Sequence, residues 1–403
     1  MKPDRKYMYN FPWTRTDNPG AWIEVTDICN LVCPGCFRRN NVEGHKPLEI
    51  VKKEILQCVE MTNCSRISIS GGEPLLYPHL KEVVAFITSL KLRSVILTNG
   101  QLLTPENIRD LKDAGLFQFF IHVDNAQIRP GWTNKSEAEM NQLRQYYADM
   151  IKKAGKVKCG FNMTIRHSNF MEIPDIVRWF NSNIDKVNHL SLILFRGVPA
   201  SIADALQYKG NKIELNNLPD TFNTSEEFDI TSNDVVRLLE KNFDDVCPAA
   251  YLKGTLVKES FKLIAFSSIG SKRKIYGSVG AKTMEKFQVF NHKLRNKYEA
   301  SVLNFGKLVF LMAFFDKIVR KTLRNYLKSV VKNPLRLFEK IYLQSLIIQQ
   351  PFEIINGGLN LCDGCMNLMP HKGEMINSCR YDEYRLLGGP IEYKQFAGLD
   401  KTR

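Results

Sequence analysis

The sequence predicts an α/β fold in which helices cover a parallel sheet, either open or bent into part of a barrel. Three observations carry this. Six β-type runs alternate with stretches whose apolar residues recur near every third and fourth position. The βα order holds over residues 20–200. A composition of 44% hydrophobic and 24% charged residues over 403 positions is that of a globular chain, and argues against a disordered, collagenous or disulfide-stapled one.

Residues 1–19 read as an N-terminal arm. The strand-like runs are Ala21–Ile28, Arg66–Ser70, Arg93–Thr98, Phe117–Asp124, Val157–Ile165 and Asn188–Phe195, and the helical stretches between them fall at 47–63, 78–90, 105–114, 136–154 and 171–183. Thr104-Pro105 with Asn107 is a helix-start signature, and Pro47 opens the earlier helix in the same way. Folds of this order place their chemistry at the C-terminal ends of the strands. After Arg196 the pattern gives way to a polar connector over 201–250, in which Thr231–Asn242 reads as a short capped helix. Residues 251–355 read as a basic amphipathic helical region and 356–403 as a small cysteine-rich extension.

The formal charge is +14, and it is local. Between Tyr251 and Gln350 stand 20 basic residues against five acidic ones, so that stretch carries the whole surplus and points to a local anionic partner. The N-terminal residues lack the apolar core of a secretory signal, and the longest uninterrupted apolar run, Leu308–Phe315, is far short of the roughly 20 residues that span a bilayer. A cytoplasmic location is expected, peripheral on the inner face of the membrane if the basic region meets it. In a reducing compartment the ten cysteines are thiols and metal ligands before they are disulfides.

Cys29, Cys33 and Cys36 follow the first strand directly, in CNLVCPGCF. Three thiolates on one short loop can converge on one face of an iron-sulfur cluster, and three ligands instead of four leave one iron open. A zinc site lacking its fourth ligand and three incidental cysteines are the competing readings. Over about residues 20–200 the chain resembles the radical S-adenosylmethionine (radical SAM) superfamily. The resemblance implies a partial (β/α)6 TIM-type barrel, a [4Fe-4S] cluster on Cys29, Cys33 and Cys36, and S-adenosylmethionine (SAM) chelated to the open iron. It also implies reductive cleavage to a 5′-deoxyadenosyl radical that abstracts hydrogen from a substrate, with a one-electron donor of flavodoxin or ferredoxin type as partner. One departure stands out: many members carry an aromatic residue just before the third cysteine, where this chain has Gly35, with Phe37 following instead.

Gly71, Gly72, Glu73 and Pro74 end the second strand-like run. Two glycines let a backbone approach a ligand closely, and a carboxylate beside them accepts hydrogen bonds from an ammonium group; the resemblance assigns this GGEP to the SAM amino group. It likewise sets Thr98 and Asn99, in TNG at the end of the third strand, near the cofactor. His122 and Asp124 share a strand face in FIHVD and are candidates for the same site, with a satisfied core histidine as the alternative. Asn162 and Arg196, on the fifth strand and at the end of the sixth, complete the candidates. Arg196 pairs either with the cofactor carboxylate or with a neighbouring helix.

The tail holds Cys362, Cys365 and Cys379 in a C-x2-C-x13-C arrangement. It resembles the twitch or SPASM extensions of part of the superfamily and implies a second Fe-S cluster, with Cys247 as a candidate fourth ligand and zinc as the alternative metal. Cys58, Cys64 and Cys159 read as small core residues.

In the basic region, Leu303–Val331 reads as one amphipathic helix with Leu308, Leu311, Phe315, Val319, Leu323, Tyr326 and Val330 along one stripe, and Leu335–Ile348 as a second. An anionic membrane surface or lipid substrate ranks ahead of nucleic acid as its partner, against a lid packed on the barrel. The expected activity is therefore a radical SAM enzyme acting on a lipid or membrane-associated molecule. A peptide-modifying maturase and an RNA-modifying enzyme are the alternatives. A non-catalytic Fe-S or zinc protein is the alternative of another class, and the successive GGEP and TNG strand ends speak against it. With only about twenty residues before the first strand, no cobalamin-binding segment is expected.

Overall fold

The computed structural model describes residues 4–195, 197–198, 206–214, 218–219, 229–300, 305–355 and 358–393. Its centre is an 11-stranded sheet. After a short β1 (Tyr9–Asn10), six parallel strands follow in order: β2 (Gly20–Thr26), β3 (Arg66–Gly71), β4 (Arg93–Thr98), β5 (Gln118–His122), β6 (Lys158–Ile165) and β7 (Val187–Leu194). The helices between them are α1 (Leu48–Met61), α2 (Leu80–Ser89), α3 (Pro105–Asp113), α4 (Glu137–Ala154) and α5 (Ile173–Ser182). Pro47 caps α1, and Thr104 with Asn107 forms the capping box that starts α3 at Pro105. The six strands and the five helices between them expected from the apolar periodicity are all present.

The two faces of the sheet differ in chemistry. Register partners share a face, and the row Ile23, Ile69, Ile96, Phe119 and Cys159 packs with Val51, Ile55 and Val83 of the helices in the main core. The opposite face is polar: Glu24 pairs with Ser70, and His122 lies in one row with Asn162 and Ser191. Cys58, Cys64 and Cys159 are buried in the apolar core, as their sequence context implies.

The region 251–355 departs from the helical expectation. After the hairpin β8 (Leu206–Tyr208) and β9 (Asn211–Lys212), and α6 (Ser232–Asn242), come β10 (Pro248–Lys253), β11 (Phe261–Ser271) and β12 (Lys274–Ser278). Then follow α7 (Ala281–Arg295), α8 (Lys317–Lys332) and β13 (Tyr342–Gln349). Strand β13 pairs parallel to β7, and β11 and β10 continue the sheet, so this region extends the barrel wall and is no helical insertion. Residues 335–348 are a 3-10 turn followed by β13, because Tyr342–Gln349 gains a full ladder on both sides. The stripe from Leu303 is likewise interrupted. A 3-10 segment, Gly306–Phe314, stops at Asp316, whose carboxylate accepts the Ile318 N–H at 2.9 Å and starts α8 as a new helix.

The described sheet does not close on itself. Strands β1 and β2 lie at its opposite edges although the short link Phe11–Pro19 joins them. The C-terminal segment lies across the gap. Cys362 bridges to Gly254 beyond β10, the Asp363 N–H donates to the Lys253 carbonyl at 2.9 Å, and Asn18 Nδ2 donates to the Cys365 carbonyl at 2.8 Å. Gly364, at φ +75°, lies so close to Trp13 that a Cβ would fall 2.3 Å from its carbonyl oxygen. Two hairpins complete this segment, β14 (Glu353–Ile355) with β15 (Gly358–Asn360) and β16 (Leu368–His371) with β17 (Glu374–Asn377), and β18 (Glu392–Tyr393) joins β8.

Candidate functional site

The loop after β2 is closed from one residue. The Asp27 carboxylate accepts the backbone N–H groups of Val42 at 2.9 Å, Glu43 at 2.6 Å and Gly44 at 2.7 Å, and Arg385 Nη1 at 3.0 Å. Burial works against its charge, but the hydrogen bonds from Glu43, Gly44, Val42 and Arg385 outweigh it and hold the carboxyl below its ordinary range. Within this ring lie Cys29, Cys33 and Cys36. The Cys36 N–H donates to the Cys33 carbonyl at 2.9 Å, and the Cys29 N–H to Asn41 Oδ1 at 3.0 Å.

The surroundings of the three sulfurs suit an iron-sulfur cluster. Burial pushes all three thiols up, Cys33 to about 12 and Cys36 to about 11, so their thiolates need a compensating positive centre. Gln127 Nε2 donates to Cys33 Sγ at 3.6 Å and Asn40 Nδ2 to Cys36 Sγ at 3.7 Å, the kind of second layer that tunes a cluster. Each thiolate of such a cluster is taken by a separate iron.

The GGEP turn packs on this loop. Gly71 has φ +137°, and a Cβ there would sit 1.9 Å from the Thr26 carbonyl oxygen; one on Gly72 would sit 2.4 Å from that of Ile28. The glycines thus serve contact with the cysteine loop, with Gly72 N–H donating to Thr26 and Glu73 N–H to Ile28, both at 2.8 Å. Glu73 is wholly buried, and its carboxylate accepts the Thr98 hydroxyl, the Asn99 N–H and the Leu75 N–H. The acid that the resemblance assigns to an ammonium group also holds TNG against GGEP. Burial raises its pKa against these bonds. Pro74 is buried at the first position of the following turn. Asn99 Nδ2 donates to Asn30 Oδ1 at 2.8 Å, which ties TNG to the cysteine loop.

His122 and Asp124 come together: His122 Nε2 lies 2.7 Å from Asp124 Oδ2, which also accepts the Thr164 N–H at 3.0 Å. Asn162 is the register partner of His122 on the same polar face. Two residues that sequence reading missed join them. Gln127 links Cys33 to Asp124, whose N–H it accepts at 3.3 Å. Arg129 is buried and donates to the carbonyls of Asn99 and His122 and to Gln127 Oε1. Among the described residues it pairs with no carboxylate, and its Nε has no hydrogen bond. A buried cation linked to Cys33 through Gln127 is one that an anionic cluster would balance. Both residues sit in a loop without a motif, so no sequence signal marked them.

The space before the third cysteine is filled from elsewhere. Gly35, at φ +77°, faces Phe195 and Arg166, which leave no room for a Cβ, and the Arg166 guanidinium stacks 3.8 Å from the Phe195 ring. Phe37 turns instead to Trp22 and Arg38. Arg196 lies outside the described residues.

In the tail, Cys362 and Cys365 are hydrogen-bonded, and the pairing holds Cys362 well up and Cys365 down. Burial, with Cys365 next, pushes Cys379 up to about 12. Cys247 does not join them. It lies at the start of β10 in the field of Asp316, Glu240 and Lys317, whereas Cys379 feels Cys365, Glu383 and Arg380. Arg38 acts on both cysteine groups: it is buried, ion-paired with Glu24, and neighbours Cys36 on one side and Cys379 on the other.

Residues 23–180 match the model of the Radical SAM superfamily. An AdoMet-dependent heme synthase of Oleidesulfovibrio alaskensis is 27% identical over 187 residues, which cover 45% of this chain and 47% of that protein. A GTP 3′,8-cyclase of Pelotomaculum thermopropionicum is 31% identical over 107 residues, 25% of this chain and 33% of its own. Streptococcus suis SuiB bound to S-adenosylmethionine aligns with 18% identity and a TM-score of 0.38 over 56% of this chain and 47% of its own. The shared stretch thus spans between a third and a half of the curated relatives' lengths.

Proposed function

The chain belongs to the radical SAM superfamily through its residues 23–180, and from that premise we propose an enzyme that removes a hydrogen atom from a membrane-associated molecule. When bound, a [4Fe-4S] cluster with SAM supplies one-electron cleavage to a 5′-deoxyadenosyl radical. Cys29, Cys33 and Cys36 would hold that cluster, and the Asp27 ring fixes the loop that carries them. The GGEP and TNG turns, locked together through Glu73, form the wall beside it. His122, Asn162 and Ser191 line the polar inner face toward which a substrate would be oriented.

The observation that carries this reading is the convergence of three strand-end loops on the cysteine loop, Asn99 on Asn30, Gln127 on Cys33 and the Glu73 N–H on the Ile28 carbonyl. The different names of the relatives, a heme synthase and a GTP cyclase, fit a shared cofactor chemistry with divergent substrates. The membrane-associated substrate is supported by the basic, apolar surface of residues 305–340. A second Fe-S cluster on Cys362, Cys365 and Cys379, and a flavodoxin or ferredoxin-type electron donor, belong to the same proposal.

The test is reduction of anaerobically reconstituted protein with dithionite in the presence of SAM, with chromatography for 5′-deoxyadenosine. Product that vanishes in Cys33→Ala is expected. No product from protein with an intact cluster and spectroscopically unperturbed by SAM would overturn the reading.

A further inference from the structure

The cationic surface has a definite place relative to the cysteine loop. The loop stands at the C-terminal ends of β2–β7. Strand β13 runs parallel to β7, so Tyr342 lies at the other end; β11 is antiparallel, and its pairs Gly270 with Tyr342 and Ser271 with Lys274 lie at that far end too. A groove of about 730 Å³ opens there, between β12, α8 and the turn Pro334–Phe338. Its cations are Lys274, Arg324, Lys328, Lys332 and Arg336, and its one carboxylate, Asp245, is already paired with Lys321 at 3.0 Å.

Arg324, Lys328 and Lys332 repeat at i, i+4 and i+8 on α8, a spacing at which like charges repel. The helix dipole favours Lys332 in the last turn, but not Arg324 near the middle, nor Lys274 on another element. On α8 and the 3-10 segments that flank it, large apolar side chains are bare: Phe314 is 79% exposed and Val331 and Phe338 82% each, with Leu308, Leu311 and Leu335 exposed as well. Large apolar side chains near cations that pair with no carboxylate among the described residues are complementary to an anionic bilayer, with rings in the acyl boundary and lysines at the phosphates.

We propose that this groove is a headgroup site for anionic phospholipid and that it anchors the protein by the end of the sheet opposite its cysteine loop. The anchoring extends the membrane reading above and is independent of the radical chemistry, whereas the placing of the reacting group rests on the proposed function. Strands of eight residues span about 26 Å, so the anchored protein holds its mouth away from the bilayer. It follows that the reacting group is one that projects from the membrane, not one embedded in it.

The full chain is sedimented with vesicles of phosphatidylcholine alone and of phosphatidylcholine with phosphatidylglycerol. Binding to the mixed vesicles only, weakened by salt, is expected. The variant R324S/K328S/K332S should bind them on the order of a hundredfold more weakly, and F314S/F338S should also lose binding, both with circular dichroism unchanged. Brominated lipid should quench Phe338→Trp and leave Val42→Trp, beside the cysteine loop, unaffected; quenching of the latter would overturn the orientation. Wild-type binding by the triple variant would overturn the groove and leave the membrane reading standing. Absence of vesicle binding by the parent chain would overturn both. Tighter binding to single-stranded RNA than to vesicles, lost in the triple variant alone, or a solution dimer abolished by F314S/F338S, would each replace the lipid with another partner.

Discussion

Glu73 accepts the Asn99 backbone N–H at 2.7 Å and the Thr98 hydroxyl at 2.6 Å, so the acid of one strand-end turn holds the turn of the next. Its third bond comes from the Leu75 N–H at 2.9 Å. Glu73→Gln places an NH2 group against one of these donors. A loss of about 2 kcal/mol of stability follows, measurable by urea denaturation, together with weaker retention of iron by the adjoining loop. An unchanged midpoint would contradict the arrangement.

Asp124 gives a pH dependence of definite sign. Burial alone would raise its carboxyl, but His122, the Thr164 N–H and Arg144 bring it down to about 2. A carboxyl depressed in the folded state contributes stability that is complete above its unfolded value and is lost as pH falls from about 4 toward 2. Asp124→Asn removes that contribution. The gap in unfolding free energy between parent and variant should therefore narrow by about 2 kcal/mol between pH 5 and pH 2.5. A gap that widens on acidification would reverse the assignment.

The buried pair of Arg38 and Glu24 lends itself to a double-mutant cycle. Arg38→Met alone strands a buried carboxylate and should cost about 3 to 5 kcal/mol. Pairing it with Glu24→Gln should recover a large part of that loss. Two additive single effects would mean that the ion pair does not form.

Iron counting separates the two cysteine groups. Reconstituted protein with both clusters holds about eight irons, and Cys365→Ala should bring this to about four with 5′-deoxyadenosine formation preserved or slowed. About four irons with one zinc in the parent chain would reject the second cluster and spare the first.

The βα units were legible because both of their periodicities are strong: Arg93–Thr98 reads as a strand and is one, and Thr104-Pro105 starts its helix where the proline sits. The basic region was not. Tyr342–Gln349 is a short apolar run, and such runs fit a buried strand or a helix equally until their neighbours are known. Its partners, Leu263–Gly270 and His189–Ile193, are remote in sequence. Asp316 did carry a local signal, an N-cap before Lys317-Ile318-Val319, that was hidden by the apolar stripe running through it. In the site, Cys29, Cys33 and Cys36 announce themselves by spacing, whereas Gln127 and Arg129 matter through contacts that only the fold creates. The inward role of Glu73 was likewise invisible, since a motif names an acid and not the donors around it.

The gap between β1 and β2 bears on biosynthesis. Tyr9 waits for Ala250, and the span from Cys362 to Met366 reaches Gly254, Trp13 and Gly20 only after both edges exist. A nascent chain therefore emerges from the ribosome with two uncovered strand edges until residues 362–366 are made. Ribosome stalling or a premature stop codon in that stretch yields a product whose danger to the cell is edge-to-edge aggregation more than lost activity.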